Sequence, residues 1–142
     1  PDAYIMLSLS KGNMRDLHKQ ISILERAYAE CPEDIRLVSQ LAKIYFQWNE
    51  NTPDNVGYYS NNVKKAEKLF LQCINEKAGM EDSYYFLGMI EMKYKKNYDH
   101  AVEYFKKFYE INPAKYIESM NMIGIARKQQ GEEHGKRKKN RG

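Results

Sequence analysis

Apolar residues recur three and four positions apart along most of this 142-residue chain, which is the period of a helix with one buried face. Only four prolines and eight glycines interrupt the pattern, so long uninterrupted helices are expected. A chain of this length corresponds to about one ordinary domain. The pattern therefore predicts an all-α fold of stacked, amphipathic helix hairpins.

Several helix ends are also visible in the sequence. Asp34 stands ahead of an apolar-periodic run and is a candidate N-cap. Pro113 is expected to end a helix, because proline has no N–H to donate and disfavours helix at the residue before it. The polar stretch 49–62, with Pro53 and Gly57, has the composition of an inserted loop.

The segment 82–113 contains two small residues, Gly88 and Ala101, among larger apolar and aromatic ones. Gly88 and Ala101 would allow two helix axes to approach within about 8 to 10 Å. The segment resembles the tetratricopeptide repeat in its matched positions, which are Tyr84, Leu87, Gly88, Tyr98, Ala101, Phe105 and Pro113. It departs from the family pattern by one extra residue in the turn 95–97.

Weaker copies of this pattern occur in phase with it. The resemblance implies a repeat domain over 1–131, with repeats at about 2–32, 34–79 and 81–113, a final helix at 114–130 and a basic flexible tail at 132–142. The first helix of the first repeat would span Asp2 to Ser10, with Gly12 and Asn13 in the turn. The implied architecture is an α-solenoid of three antiparallel helix pairs plus a C-terminal helix, stacked in a right-handed superhelix.

The resemblance also implies a function, because the first helices of such repeats line a concave groove that binds a peptide or another protein. The lysine and asparagine positions that grip acidic chaperone tails in this family are not matched, since Ile5, Leu9 and Asp82 occupy three of them. The groove positions carried over are Arg36, Ser39, Lys43, Phe46, Gln47, Tyr85, Met89, Met92, Lys93, Asn121 and Ile125.

The groove is expected to combine an apolar strip at Tyr85, Met89 and Met92 with cations at Arg36 and Lys43. Such a surface suits an amphipathic helix or an extended apolar peptide with acidic flanks. The alternative is that further helices of the same protein, or a symmetry partner, fill the groove. In the inserted loop, Tyr58 and Tyr59 are either exposed contact residues or fold back over the hairpin.

The final helix suggests a second class of function. Its apolar residues, Met120 and Ile123 among them, are distributed around much of its circumference, whereas a terminal helix normally keeps its outer face polar. Either further repeats or a second copy of the chain would cover such a helix. A self-associating structural module that forms a homodimer is therefore the main alternative to the peptide-binding scaffold.

The basic tail suggests a third class. Five basic against two acidic residues after Gly131 account for three of the four formal positive charges, so the repeat region is nearly neutral and nucleic acid is an unlikely partner. The run Lys136, Arg137, Lys138 and Lys139 could contact phosphates or an anionic membrane. A solvated terminus is the favoured reading, because no aromatic residue is interleaved with the run.

Catalytic and cofactor motifs are missing from the sequence. His18, His100 and His134 have no metal-ligand spacing, and neither a nucleophile elbow nor a dinucleotide glycine fingerprint occurs. No enzyme activity, cofactor or metal is predicted. Cys31 and Cys73 are expected to be reduced thiols, and no apolar run reaches membrane-spanning length. The sequence does not determine the compartment, with the cytoplasm slightly favoured.

Overall fold

The computed structural model describes residues 14–52, 58–77 and 80–141. All regular structure within these residues is helical, which confirms the predicted all-α fold of helix hairpins. The helix expected over Asp2 to Ser10 and the turn at Gly12 and Asn13 lie outside the described residues. The described residues form six α-helices and one short 3-10 turn: α1 Met14–Glu30, α2 Ile35–Asn51, α3 Asn61–Asn75, α4 Met80–Lys93, α5 Tyr98–Ile111, the 3-10 turn Pro113–Lys115, and α6 Tyr116–Arg141.

Short polar side chains cap the N-termini of three of these helices. The Asp34 carboxylate accepts a hydrogen bond from the Arg36 backbone N–H at 3.1 Å, as its predicted N-cap role requires. Ser60 caps α3 and Asn97 caps α5 in the same way, each accepting from the backbone N–H three residues on. Each cap satisfies one of the amide groups that the first turn of a helix leaves unpaired.

The chain divides into two compact units, residues 1–83 and 84–142. In the first unit, α2 packs against both α1 and α3. The contact is apolar because every third or fourth side chain of each helix turns inward. Fully buried side chains from the three helices form its core, among them Leu24, Leu37, Val38, Val63, Phe70 and Cys73.

In the second unit, a glycine allows α4 to lie closely against α5. A Cβ atom built on Gly88 would lie 2.6 Å from the ring carbon Cε1 of Phe105, well inside van der Waals contact. Ala101 is fully buried nearby in the same core. Gly88 thus has the role that the sequence predicted for it. The core comprises Met92, Tyr98, Ala101, Val102 and Phe105, with Ala126 contributed by α6.

The inserted loop is shorter than predicted. Helix α2 continues to Asn51 and α3 begins at Asn61, so both ends of the expected stretch 49–62 are helical. The reason lies in Asn49, whose side chain is completely buried. Its amide group donates to the Tyr58 carbonyl at 3.4 Å and its carbonyl oxygen accepts from the Ser60 hydroxyl. Asn49 is a residue type common in loops, but here it lies in α2 and its hydrogen bonds join this helix to the residues just before α3.

The final helix is longer than predicted. Instead of ending at 130 and leaving a flexible tail from 132, α6 continues through Gly131 to Arg141. The residues after Gly131 are mostly Glu, Lys and Arg, which have high helix propensity. Glu133, His134 and Arg137 also line a cleft with the turn before α5, so this part of the helix has tertiary neighbours. The prediction of the helix end and of the flexible tail is wrong.

Candidate functional site

The open side of α2 carries most of the residues expected to bind a partner in the first unit. Arg36, Ser39, Lys43 and Gln47 recur at three- and four-residue spacing and are exposed or half-exposed. We call these four residues the α2 face. Phe46, which was also predicted to contact a partner, is only 8% exposed and belongs to the core. Phe46 lies toward the buried side of the helix. Burial of its large aromatic side chain stabilises the fold more than burial of a polar side chain would.

Both cations of the α2 face have carboxylate partners within the chain. The Arg36 guanidinium lies 3.4 Å from the Asp34 carboxylate, and this contact lowers the pKa of Asp34. The Lys43 ammonium lies 2.8 Å from the Asp82 carboxylate. The expectation that these two cations attract an acidic peptide is weakened, because a ligand carboxylate would have to compete with Asp34 and Asp82.

In the second unit, α4 has a half-buried aromatic and apolar surface. Tyr85 packs its ring 5.4 Å from the ring of Phe108, and Met89 lies against the same core. Met92, which was predicted to complete the strip, is 3% exposed and is a core residue. Lys93 is half-exposed, with its ammonium 6.0 Å from the ring of Tyr94.

Phe86 belongs to this surface, whereas the predicted residue Met92 does not. Its ring is half-exposed and meets the ring of Tyr85 edge-on at 5.3 Å. Phe86 lies three residues before Met89 and seven before Lys93, so helical periodicity alone could have identified it. We call Tyr85, Phe86, Met89 and Lys93 the α4 face.

Helix α6 adds an apolar residue on the same unit. Glu118, Met122 and Ile125 share one side of α6 by their spacing. Met122, like Met89, packs against the core of this unit, and Ile125 is 42% exposed. Burial first, and the nearby Glu118 carboxylate second, raise the pKa of Tyr85, so this phenol stays protonated. Asn121, also predicted here, is exposed.

The opposite side of α6 presents apolar residues without a covering element in the described part of the chain. Ile117 is 74% exposed and Met120 is 42% exposed, with Tyr116 exposed beside them. A Cβ atom built on Gly124 would meet nothing within 4 Å. Ile123, which was predicted to belong to a self-association surface, instead packs on the core of the second unit. We call Tyr116, Ile117 and Met120 the outer α6 face.

The two tyrosines of the inserted loop behave differently. Tyr58 is exposed. Tyr59 is half-buried, donates its hydroxyl to the Glu67 carboxylate, and has the Lys64 ammonium 5.3 Å from its ring. Of the two alternatives that the sequence left open, Tyr59 follows the second and folds back onto α3. Tyr58 follows the first and is accessible.

The basic run is arranged on a helix, so its side chains point in different directions. Lys136, Arg137, Lys138 and Lys139 are all exposed. Arg137 alone of the four lines a polar cleft of about 430 Å³ beside the turn 95–99. In the same region Gln130 donates to the Asp99 carboxylate at 3.2 Å and Arg127 donates to it at 2.9 Å. The Gln130 hydrogen bond first, and the Arg127 hydrogen bond second, lower the pKa of Asp99.

The described residues contain no group of three or more His, Cys, Asp or Glu side chains that could hold a metal ion. Cys73 is buried, and that burial raises the pKa of its thiol, which disfavours the reactive thiolate. Within the same residues, no helix combines the length and the apolar character needed to cross a bilayer.

Comparison with known protein families matches one part of the chain, residues 81–115, to the sequence model of the tetratricopeptide repeat. Residues 81–115 are therefore similar to a tetratricopeptide repeat. The match covers the α4–α5 hairpin and agrees with the copy predicted at 81–113. No curated protein and no solved structure matches the chain. Repeats of this type generally serve protein interaction and are typically non-catalytic.

Proposed function

We propose that this protein is an interaction scaffold that binds an apolar peptide segment on the α4 face together with Ile125 of α6. The observation that supports this proposal is the row of half-exposed Tyr85, Phe86 and Met89 on the first helix of the tetratricopeptide repeat. Aromatic and methionine side chains are enriched where proteins bind each other, because they bury a large apolar area and adapt to the partner's shape.

The charges around this surface favour an apolar ligand over an acidic one. In the second unit, Glu118 is exposed near Tyr85, and Lys93 is the one cation of the α4 face. A strongly acidic peptide would approach the Glu118 carboxylate without finding an unpaired cluster of cations, so apolar anchors should supply most of the affinity.

The experiment is a selection of peptides from a random library against the whole chain, followed by calorimetry with matched variants. Ile125→Glu should weaken binding of the selected peptides at least tenfold, which corresponds to about 1.4 kcal/mol, because a charge would enter an apolar contact. Ile117→Glu places the same charge on the outer face of the same helix and should leave the affinity unchanged.

The opposite pattern would contradict the proposal. If Ile117→Glu abolished binding while Ile125→Glu did not, the peptides would bind the outer α6 face. If both variants bound with the affinity of the parent chain, neither side of α6 would contribute. Circular dichroism of both variants checks that each keeps the helical content of the parent.

Self-association is a second candidate function, and the outer α6 face is the observation that favours it. Ile117 is exposed over 74% of its surface, with Tyr116 and Met120 beside it. A cluster of this kind is an expected contact surface in a soluble protein. We propose that a second copy of the chain covers it, with Ile117 and Met120 as anchors. Ile123 has no place in this surface because it packs on the core.

A further inference from the structure

A cleft in the first unit lies away from the α2 face and has a different chemistry. It has a volume of about 220 Å³ and is lined by residues of α1, α2 and α3. Its floor is formed by Leu41 and Tyr45 of α2 and Leu69 of α3, all largely buried. Leu41 and Tyr45 lie on the side of α2 opposite Arg36 and Lys43 by their helical spacing. The cleft is therefore a separate site from the α2 face.

Among the described residues that line this cleft, the one carboxylate is already engaged. The Tyr45 hydroxyl donates a hydrogen bond to Glu25 of α1. Burial first, and the Glu25 carboxylate second, raise the pKa of Tyr45, so its hydroxyl remains a donor at neutral pH. Glu25 is thus held against the α2 side of the cleft.

Two lysines at the rim have no carboxylate partner in the part of the chain that the structure describes. Lys65 holds its ammonium 5.3 Å from the centre of the Tyr45 ring, and Lys68 is exposed one turn further along α3. Residues three apart on a helix are neighbours on its surface. The rim therefore presents two adjacent positive charges above an apolar floor.

We propose that this cleft binds an acidic peptide segment that contains one large apolar side chain. The apolar side chain would contact Leu41, Leu69 and the Tyr45 ring, and neighbouring carboxylates of the peptide would pair with Lys65 and Lys68. A whole helix is excluded as the inserted element, because a helix with its side chains is about 10 Å across and the cleft is too small. The charge of the rim selects an acidic peptide over a basic one.

The test uses the intact chain and the acetylated, amidated tripeptide Asp-Phe-Glu. Two-dimensional amide NMR spectra during a titration to about 10 mM should show saturable shifts in α1 and α3 around Glu25 and Lys68, the range in which such a small ligand is expected to bind. The tripeptides Asn-Phe-Gln and Asp-Ala-Glu, which lack the charges and the ring respectively, should bind at least fivefold more weakly.

Matched variants of the protein complete the test. The double variant Lys65→Gln and Lys68→Gln should weaken binding of Asp-Phe-Glu at least fivefold. Lys64→Gln removes a charge from the same helix, but the Lys64 ammonium lies over Tyr59 outside the cleft, so its affinity should equal that of the parent. Equal binding of the charged and neutral tripeptides, shifts centred on Tyr85 and Phe86, or no saturable shift at all would each overturn the proposal.

Discussion

At the scale of single residues, two glycines of similar sequence context have opposite environments. Gly88 lies where α4 meets α5, and a Cβ atom there would come within 2.8 Å of three ring carbons of Phe105. Gly124 lies inside α6, and a Cβ atom there would meet nothing within 4 Å. The first glycine is needed for packing, whereas the second only reduces helix propensity.

Alanine substitution at these two glycines should therefore change stability in opposite directions. Gly88→Ala should lower the free energy of unfolding by about 1 to 3 kcal/mol, because the buried Phe105 ring must move. Gly124→Ala should raise it by about 0.5 to 1 kcal/mol through helix propensity alone. Urea unfolding followed by circular dichroism measures both values, and a neutral Gly88→Ala would show that Phe105 has room to shift.

Asp34 allows a residue-scale prediction about pH. Arg36 lowers the pKa of the Asp34 carboxyl below its unfolded value of 3.8, so the folded state favours the ionised form. This contribution is fully present above pH 3.8 and is lost as the pH falls through the lowered pKa.

Asp34→Asn keeps a capping side chain but cannot titrate, whereas Asp34→Ala removes the cap and should cost about 1 kcal/mol at neutral pH. Thermal unfolding of all three proteins between pH 7 and pH 2 should show the advantage of the parent over Asp34→Asn disappearing below pH 3.8. A difference that stays constant over this range would mean that Asp34 titrates alike in the folded and unfolded chains.

At the scale of elements, α6 is the helix whose extent the sequence did not reveal. It passes through Gly131 and Gly135 and ends at Arg141. Asp99, at the start of α5, accepts hydrogen bonds from Arg127 and Gln130 of α6. Ser119 and Ala126 are fully buried on the same side of the helix. These contacts hold α6 along α5, and the helix then continues past them without a break.

A proline at residue 131 should test this continuation. Gly131→Pro should disrupt the helix around residue 131, because an interior proline costs about 3 kcal/mol. The core around Phe105 should keep its structure, since it lies before the substitution. Gly131→Ala is the matched control and should strengthen the helix. Backbone carbon chemical shifts report the helix directly, and random-coil values for residues 132–141 in the parent chain would contradict the structure.

At the scale of the whole molecule, α6 presents two surfaces to possible partners. Ile125 lies on the side shared with Glu118 and Met122, and Ile117 and Met120 lie on the outer face. The two proposed functions use different sides of one helix, so a single substitution can separate them. The formal net charge of +4 is too small to prevent association between copies by repulsion.

We expect the solution mass of the chain to rise with concentration toward that of a dimer. Light scattering after size exclusion measures it. Ile117→Glu and Met120→Glu should each return the mass to that of a monomer, because a charge would be buried in the interface between copies. Ile125→Glu should dimerise as the parent does. A parent chain that stays monomeric at every concentration would reject self-association and leave the peptide-binding proposal unaffected.

The sequence alone determined the all-α class, the repeat at residues 81–115, the Asp34 cap and the small residue at Gly88, because local spacing and local hydrogen bonds control these features. Only the tertiary structure decided which apolar positions stay accessible. Met92 and Ile123 are taken into the core while Phe86 and Ile117 remain open. Burial depends on which neighbouring helix covers each side chain, and contacts between elements distant in sequence set that arrangement.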